Sequence, residues 1–83
     1  MIEEVKLFTE ELIKSLVNEP DLVKVQDFKD EEENPILEII VSSDDMGKVI
    51  GKGGNIAKAI RTLIQATAFH KGLKRIKINI DSF

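Results

Sequence analysis

The sequence predicts a single α+β domain over residues 1–83, with three helices on one face of a three-stranded mixed sheet. Three observations predict it. Apolar spacing switches between helical and alternating periods in the order α-β-β-α-α-β. A chain of 83 residues has room for only one core. Two helices separate the second strand from the third, a crossover expected to be right-handed and to join parallel neighbours.

Val5, Phe8, Leu12 and Leu16, flanked by Ile2, Ile13 and Val17, recur at three- and four-residue steps and predict a helix over about residues 3–18. Asn18, Glu19, Pro20 and Asp21 stop it, because proline disfavours helical dihedrals in its predecessor. Val23 and Val25 alternate with Lys24 and Gln26 in a strand over 22–28. An acidic turn, including Glu31, Glu32 and Glu33, leads to a nearly continuous β-branched strand over 36–41. The two strands form an antiparallel hairpin.

Ser42, Ser43, Asp44 and Asp45 offer capping chemistry for a short helix over 44–50. A glycine turn over 51–54 follows, then a helix to about residue 70 carrying Ile56, Ala57, Ile60, Leu63, Ile64 and Phe69, with Gly72 as terminator. Ile76, Ile78 and Ile80 alternate with polar residues in the last strand. The aromatics Phe8, Phe28, Phe69 and Phe83 read as core or as a terminal plug. Ile36 and Ile40 fall on the sheet face away from the helices, and Ile56, Ile60, Leu63 and Ile64 exceed what a small core needs; either set is a candidate self-association surface.

Apolar residues at 42% and charged residues at 33% describe a globular chain, not a disordered one. Apolar runs are too short for a membrane span, and the acidic start lacks the regions of a signal peptide, so the expected location is the cytoplasm. Without cysteine there is no disulfide framework and no thiolate metal site or nucleophile. His70 has no histidine or cysteine to work with, and no cofactor is implied. The net charge of −3 hides a division: residues 1–45 set four lysines against 14 acids, whereas residues 46–83 set eight cations against Asp81 alone. That asymmetry suits a polyanion on the second half.

The most informative stretch runs Lys48, Val49, Ile50, Gly51, Lys52, Gly53, Gly54, Asn55, Ile56, Ala57, Lys58, with Arg61 beyond. Glycines let a phosphate approach backbone amides, and the helix that follows presents unpaired N–H groups and its positive pole. Lys52 stands at the tip, with Lys48, Lys58 and Arg61 close by to attract phosphates without reading a base. A P-loop is excluded, since the spacing from Gly47 to Gly51 is one residue short and Gly53 stands where Ser or Thr is needed. A dinucleotide fingerprint is excluded too, since it needs glycine at Ile56.

Val49, Ile50, the G-x-x-G at 51–54, Asn55 and Ile56 resemble the signature of the KH (K-homology) family, and the element order resembles its type II arrangement, with a minimal core over about 36–83. As a free-standing domain with D-M-G-K-V-I-G-K-G-G, the chain is similar to the KhpA/YlqC family of small bacterial RNA-binding proteins. The resemblance implies a non-enzymatic binder that clamps about four nucleotides of single-stranded RNA in a groove walled by two helices and a strand. The site would be Gly51, Lys52, Gly53 and Gly54, with Lys48, Asn55, Lys58 and Arg61 around it. It further implies a homodimer or a heterodimer with a KhpB-type RNA-binding protein, and an RNA-chaperone role tied to the cell envelope and cell length. Gly53 departs from the basic or polar residue common in the family, which predicts a more mobile turn with Lys52 as its one charge. The competing reading is a protein-interaction module that docks on a partner or the ribosome, with weak RNA affinity.

Overall fold

The computed structural model describes residues 2–83. Helix α1 (Ile2–Lys14) begins with Glu3 and Glu4, which complement its positive pole, and buries Val5, Thr9 and Ile13. The buried Thr9 hydroxyl is satisfied within the helix, donating to the Val5 carbonyl at 2.8 Å. The helix stops four residues before the expected end. Ser15 donates its hydroxyl to the Leu12 carbonyl at 2.6 Å, and the backbone then leaves to meet Asp45, as described below. A single 3-10 turn (Pro20–Leu22) leads into the sheet.

Strand β1 (Lys24–Lys29) starts two residues later than predicted, because Leu22 is taken up in that turn. Asp30 organises the hairpin turn: its carboxylate accepts the N–H groups of Glu32 at 2.8 Å and Asn34 at 2.9 Å. The Asn34 N–H, above all, holds the Asp30 carboxyl below its ordinary value. Strand β2 (Pro35–Val41) returns antiparallel to β1, with Lys24 opposite Ile40 and Lys29 opposite Pro35.

Helix α2 (Met46–Ile50) and helix α3 (Asn55–His70) form the crossover to β3 (Lys77–Ser82). That strand lies parallel to β2, Ile36 opposite Lys77 and Val41 opposite Ser82. The sheet order is β1-β2-β3. At the end of α3 the N–H of Leu73 reaches the Ala68 carbonyl at 2.9 Å and that of Gly72 the Phe69 carbonyl at 3.0 Å, the paired bonds that close a helix on glycine.

The period-2 pattern of β2 sends Leu37, Ile39 and Val41 into the core, all fully buried, beneath Val5 and Ile13 of α1, Val49 of α2, and Ile60 and Ile64 of α3. Each such side chain contributes roughly 1.5–3 kcal/mol of burial. Ile36 and Ile40 face the opposite side and are half-buried. Two expectations are corrected here. Of the four apolar α3 residues offered as an interface, Ile60 and Ile64 belong to the core, and only Ile56 and Leu63 stay on the surface. Of the aromatics, only Phe8 packs against the core, whereas Phe28, Phe69 and Phe83 are exposed. A domain this small has too little interior to cover every large ring.

Candidate nucleic-acid interface

Asp45 sits at the root of α2 and is 1% exposed. It was expected to cap the helix, yet its side chain makes no capping bond. Its carboxylate reaches across the chain instead. The N–H groups of Asn18 and Glu19 donate to it at 3.1 and 2.9 Å, and the Ser42 hydroxyl at 3.3 Å. Burial pushes the carboxyl upward, but these donors and nearby Lys48 outweigh burial and hold it below the ordinary value. Asp44 is exposed, and no side-chain bond caps the 3-10 turn (Ser43–Asp45) that contains it.

Five residues later the helix ends on bare backbone. Gly51 has φ 74° and ψ 175°, a region nearly closed to residues with a side chain. A Cβ placed there would also lie 2.6 Å from Cγ1 of Ile56, so the start of α3 packs directly against the glycine. Ile56 thereby anchors the turn from outside: it is 38% exposed and lies over Gly51, not in the core where it was expected.

A short 3-10 turn (Lys52–Gly54) then swings the chain into α3, with Gly53 at φ 64° and Gly54 at φ 77°. The N–H groups of Gly51, Gly54 and Asn55 are consumed within the turn, bonding to the carbonyls of Gly47, Gly51 and Lys52. Among the described residues, the N–H groups of Lys52 and Gly53 have no intramolecular partner. Lys52, Gly53 and Asn55 are exposed, and a Cβ on Gly53 or Gly54 would meet nothing within 4 Å. The arrangement is a bare cradle of the kind that accepts an anion.

The predicted cations differ in state. Lys52, Lys58 and Arg61 carry no ion pair among the described residues. Lys48 does, with its ammonium 3.8 Å from the Asp45 carboxylate. Arg61 uses one donor, Nε, on the carbonyl of Ile78 at 3.5 Å. One turn along, Gln65 accepts the N–H of Ile76 at 2.9 Å. These two side chains clasp α3 to the free edge of β3.

Beside this clasp lies a groove of about 910 Å³, lined by α3 from Arg61 to Phe69 and by residues 75–78. Asp30, Asn34 and Pro35 at the hairpin turn line it as well. Neither α2 nor the 51–54 turn lines this groove, whereas the β1–β2 turn does. Sequence reasoning also passed over Phe69, which is 56% exposed and stands at the far end of this groove. Its signal was the spacing of Lys58, Arg61, Gln65 and Phe69, three or four residues apart along one face of a helix.

Among the described residues there is no group of histidine and carboxylate side chains fit to hold a metal, and no helix is long and apolar enough to cross a membrane.

Comparison with known proteins agrees with this architecture. The family model described as "KhpA/KhpB, KH domain" matches residues 6–80. The RNA-binding protein KhpA of Clostridium acetobutylicum is 49% identical over 90% of this chain and 97% of its own length. That of Clostridium perfringens is 51% identical over 83% of this chain and 91% of its own. Among solved structures, Aquifex aeolicus Era bound to GDP and AlF4− superposes with a TM-score of 0.63 at 19% identity, over 95% of this chain and 30% of that one. Era in complex with MgGDPNP and nucleotides 1506–1542 of 16S ribosomal RNA gives a TM-score of 0.59 at 19% identity, over 94% of this chain and 29% of that one. At such identity the likeness is one of fold, the type II KH arrangement of three helices on a mixed sheet.

Proposed function

The chain belongs to the KhpA/KhpB KH-domain family of non-enzymatic RNA-binding proteins, and on that premise we propose that it grips single-stranded RNA at the 51–54 turn. The observation that carries this reading is the pair of unpartnered N–H groups on Lys52 and Gly53, exposed at the head of a 16-residue helix. A phosphate seated there accepts both, and the positive pole of α3 adds to the attraction. Lys52, Lys58, Arg61 and, once drawn from Asp45, Lys48 supply charge without base selectivity, and Asn55 offers a neutral donor. The fit is sequence-tolerant, as suits an RNA chaperone.

The finer roles rest on the family. KhpA proteins carry the name of RNA-binding proteins, and pairing with a KhpB-type partner, cytoplasmic residence and a part in cell-envelope or cell-length control are proposed here on that kinship. Self-association or pairing is favoured by Leu63, which is 49% exposed on α3 and shares a helix face with Ile56.

Changing Lys52→Asp and Gly53→Asp together tests the turn. Aspartate tolerates the left-handed backbone at residue 53 and meets no neighbour there, so the fold survives. RNA binding falls by about 100-fold or more; unchanged affinity in titrations with a fluorescent single strand refutes the assignment. With about four phosphates held, log affinity falls against log salt with a slope of roughly −2 to −3. Light scattering on the protein, alone and with a KhpB-type partner, tests pairing, and a monomer under both conditions removes it. A wild-type RNA affinity weaker than about 10⁻⁴ M beside tight partner binding supports the interaction-module reading instead.

A further inference from the structure

The 51–54 turn carries a nucleophile that RNA binding uses only for its charge, the amine of Lys52. Most other lysines are engaged. Lys6, Lys14, Lys29, Lys48 and Lys71 each pair with a carboxylate, and Lys24 lies over the Phe83 ring, 5.7 Å from its centre. Among the described residues Lys52, Lys58, Lys74 and Lys77 carry no ion pair, and all four are exposed. Lys52 differs from the other three in its place. Its own N–H and that of Gly53 are the unpartnered pair at the head of α3. Nothing stands in front of that pair, since a Cβ on Gly53 or Gly54 would meet no atom within 4 Å.

Two N–H groups at a helix head hold a phosphate whatever the phosphate is attached to. Where it is attached to an acyl group, the electrophilic carbonyl carbon adjoins the bridging oxygen. That carbon then lies within the sweep of the flexible four-carbon stem of Lys52. Nucleophile and electrophile held on one turn react without waiting for a chance encounter.

We propose that Lys52 is an acylation site, at which the turn seats the phosphate of a small acyl phosphate and the Lys52 amine takes the acyl group. The proposal rests on the 51–54 turn as a phosphate seat and adds a means of regulating it. The unprotonated amine attacks the carbonyl carbon and a C–N bond forms. The C–O bond to phosphate breaks, and the surplus proton on nitrogen passes to the departing phosphate. The products are an acyl-lysine and inorganic phosphate, with no change of oxidation state. Acylation removes the one charged side chain of the turn, which weakens the site for RNA. Bound RNA in turn covers the seat and protects the lysine.

The test incubates the whole chain with acetyl phosphate and follows acetylation at each lysine by peptide mass spectrometry. Lys52 reacts at least about 10-fold faster than Lys74 and Lys77, which are also exposed and unpaired. N-acetoxysuccinimide, an acyl donor without phosphate, abolishes the preference. Gly53→Asp sets a carboxylate at the seat and brings Lys52 down to the rate of the other two with acetyl phosphate. Excess inorganic phosphate, or a single strand of about four nucleotides, slows Lys52 and spares Lys74 and Lys77. Protein acetylated at Lys52 binds that strand a few-fold more weakly, with a salt slope about one unit shallower. Equal rates at the three lysines with acetyl phosphate overturn the proposal. So does a Lys52 preference that persists with N-acetoxysuccinimide or in Gly53→Asp, because exposure alone then explains it. Failure of the RNA reading looks different: the strand then binds the Lys52→Asp, Gly53→Asp variant as well as wild type and leaves Lys52 unprotected, while inorganic phosphate still protects it.

Discussion

The two ends of the five-residue helix α2 are opposites. At its root Asp45 is 1% exposed and accepts two backbone N–H groups and a hydroxyl from three other residues. At its tip Gly51 begins a turn whose next two N–H groups have no partner among the described residues. Asp45 and Gly51 are only about 9 Å apart along the helix axis. A turn offering unpaired donors to a ligand cannot also be held by those donors, so its position must be fixed from elsewhere. Here it is fixed from behind by a buried carboxylate and from the side by Ile56 lying on Gly51. Rigidity sits at one end of the helix and vacancy at the other.

Breaking the rigid end gives the largest expected effect. Asp45→Ala strands the N–H groups of Asn18 and Glu19 in a part-buried place, and charge-assisted bonds of this kind are among the stronger ones. The melting temperature is expected to fall by more than about 10 °C; an unchanged melt shows that the carboxylate is no anchor. Because the folded carboxyl lies below its ordinary value of 3.8, its stabilisation is fully present above that pH and is lost as acid carries the pH down through the folded value. Asp45→Asn therefore flattens the acid limb of stability against pH below about 4 and leaves the limb above about 6 flat.

Gly51→Ala comes next, because it disturbs the vacant end where it meets its one support. The new methyl group collides with Ile56 and forces a dihedral pair that only glycine readily adopts, at a cost of about 1–3 kcal/mol in denaturant unfolding. Adding Ile56→Ala removes the contacts with Cγ1 and Cδ1 but keeps Cβ, at 2.9 Å, and leaves the dihedral as it is, so the double variant recovers only part of the loss. Gly53→Ala, with open space around it, costs only about 1 kcal/mol. Equal losses at both glycines contradict the idea that Ile56 holds the turn.

Most of this fold is legible in the sequence, because its elements are short and cleanly periodic. Leu37, Ile39 and Val41 alternate inward, and the G-x-x-G turn stands between two apolar helices. Less legible are the features that depend on distant partners. Asp45 reads locally as a cap, and only folding brings it to donors 26 and 27 residues away. The same donors explain why α1 ends early: Asn18 and Glu19 must leave helical geometry to reach that carboxylate. Periodicity also reports that Phe28 and Phe69 are apolar without reporting how much interior remains once Leu37, Ile39 and Ile64 have filled it. The face shared by Arg61, Gln65 and Phe69 was readable from spacing alone, but it looks significant only when β3 is known to lie beside it.

Lys48 joins the two ends and gives the smallest and most discriminating effect. Its ammonium is 3.8 Å from the Asp45 carboxylate, yet the side chain is 42% exposed, and that carboxylate is already satisfied by backbone N–H groups and a hydroxyl. A partly solvated ion pair of this length adds little, so Lys48→Ala should shift the melting temperature by no more than about 4 °C. The same lysine stands one turn from the cradle, and an incoming phosphate competes with Asp45 for it. Its removal is therefore expected to weaken RNA binding a few-fold for every sequence and to make the salt slope about one unit shallower. If the slope is unchanged while the melt falls sharply, Lys48 serves the buried end alone, and the cradle relies on Lys52, Lys58 and Arg61 for its charge.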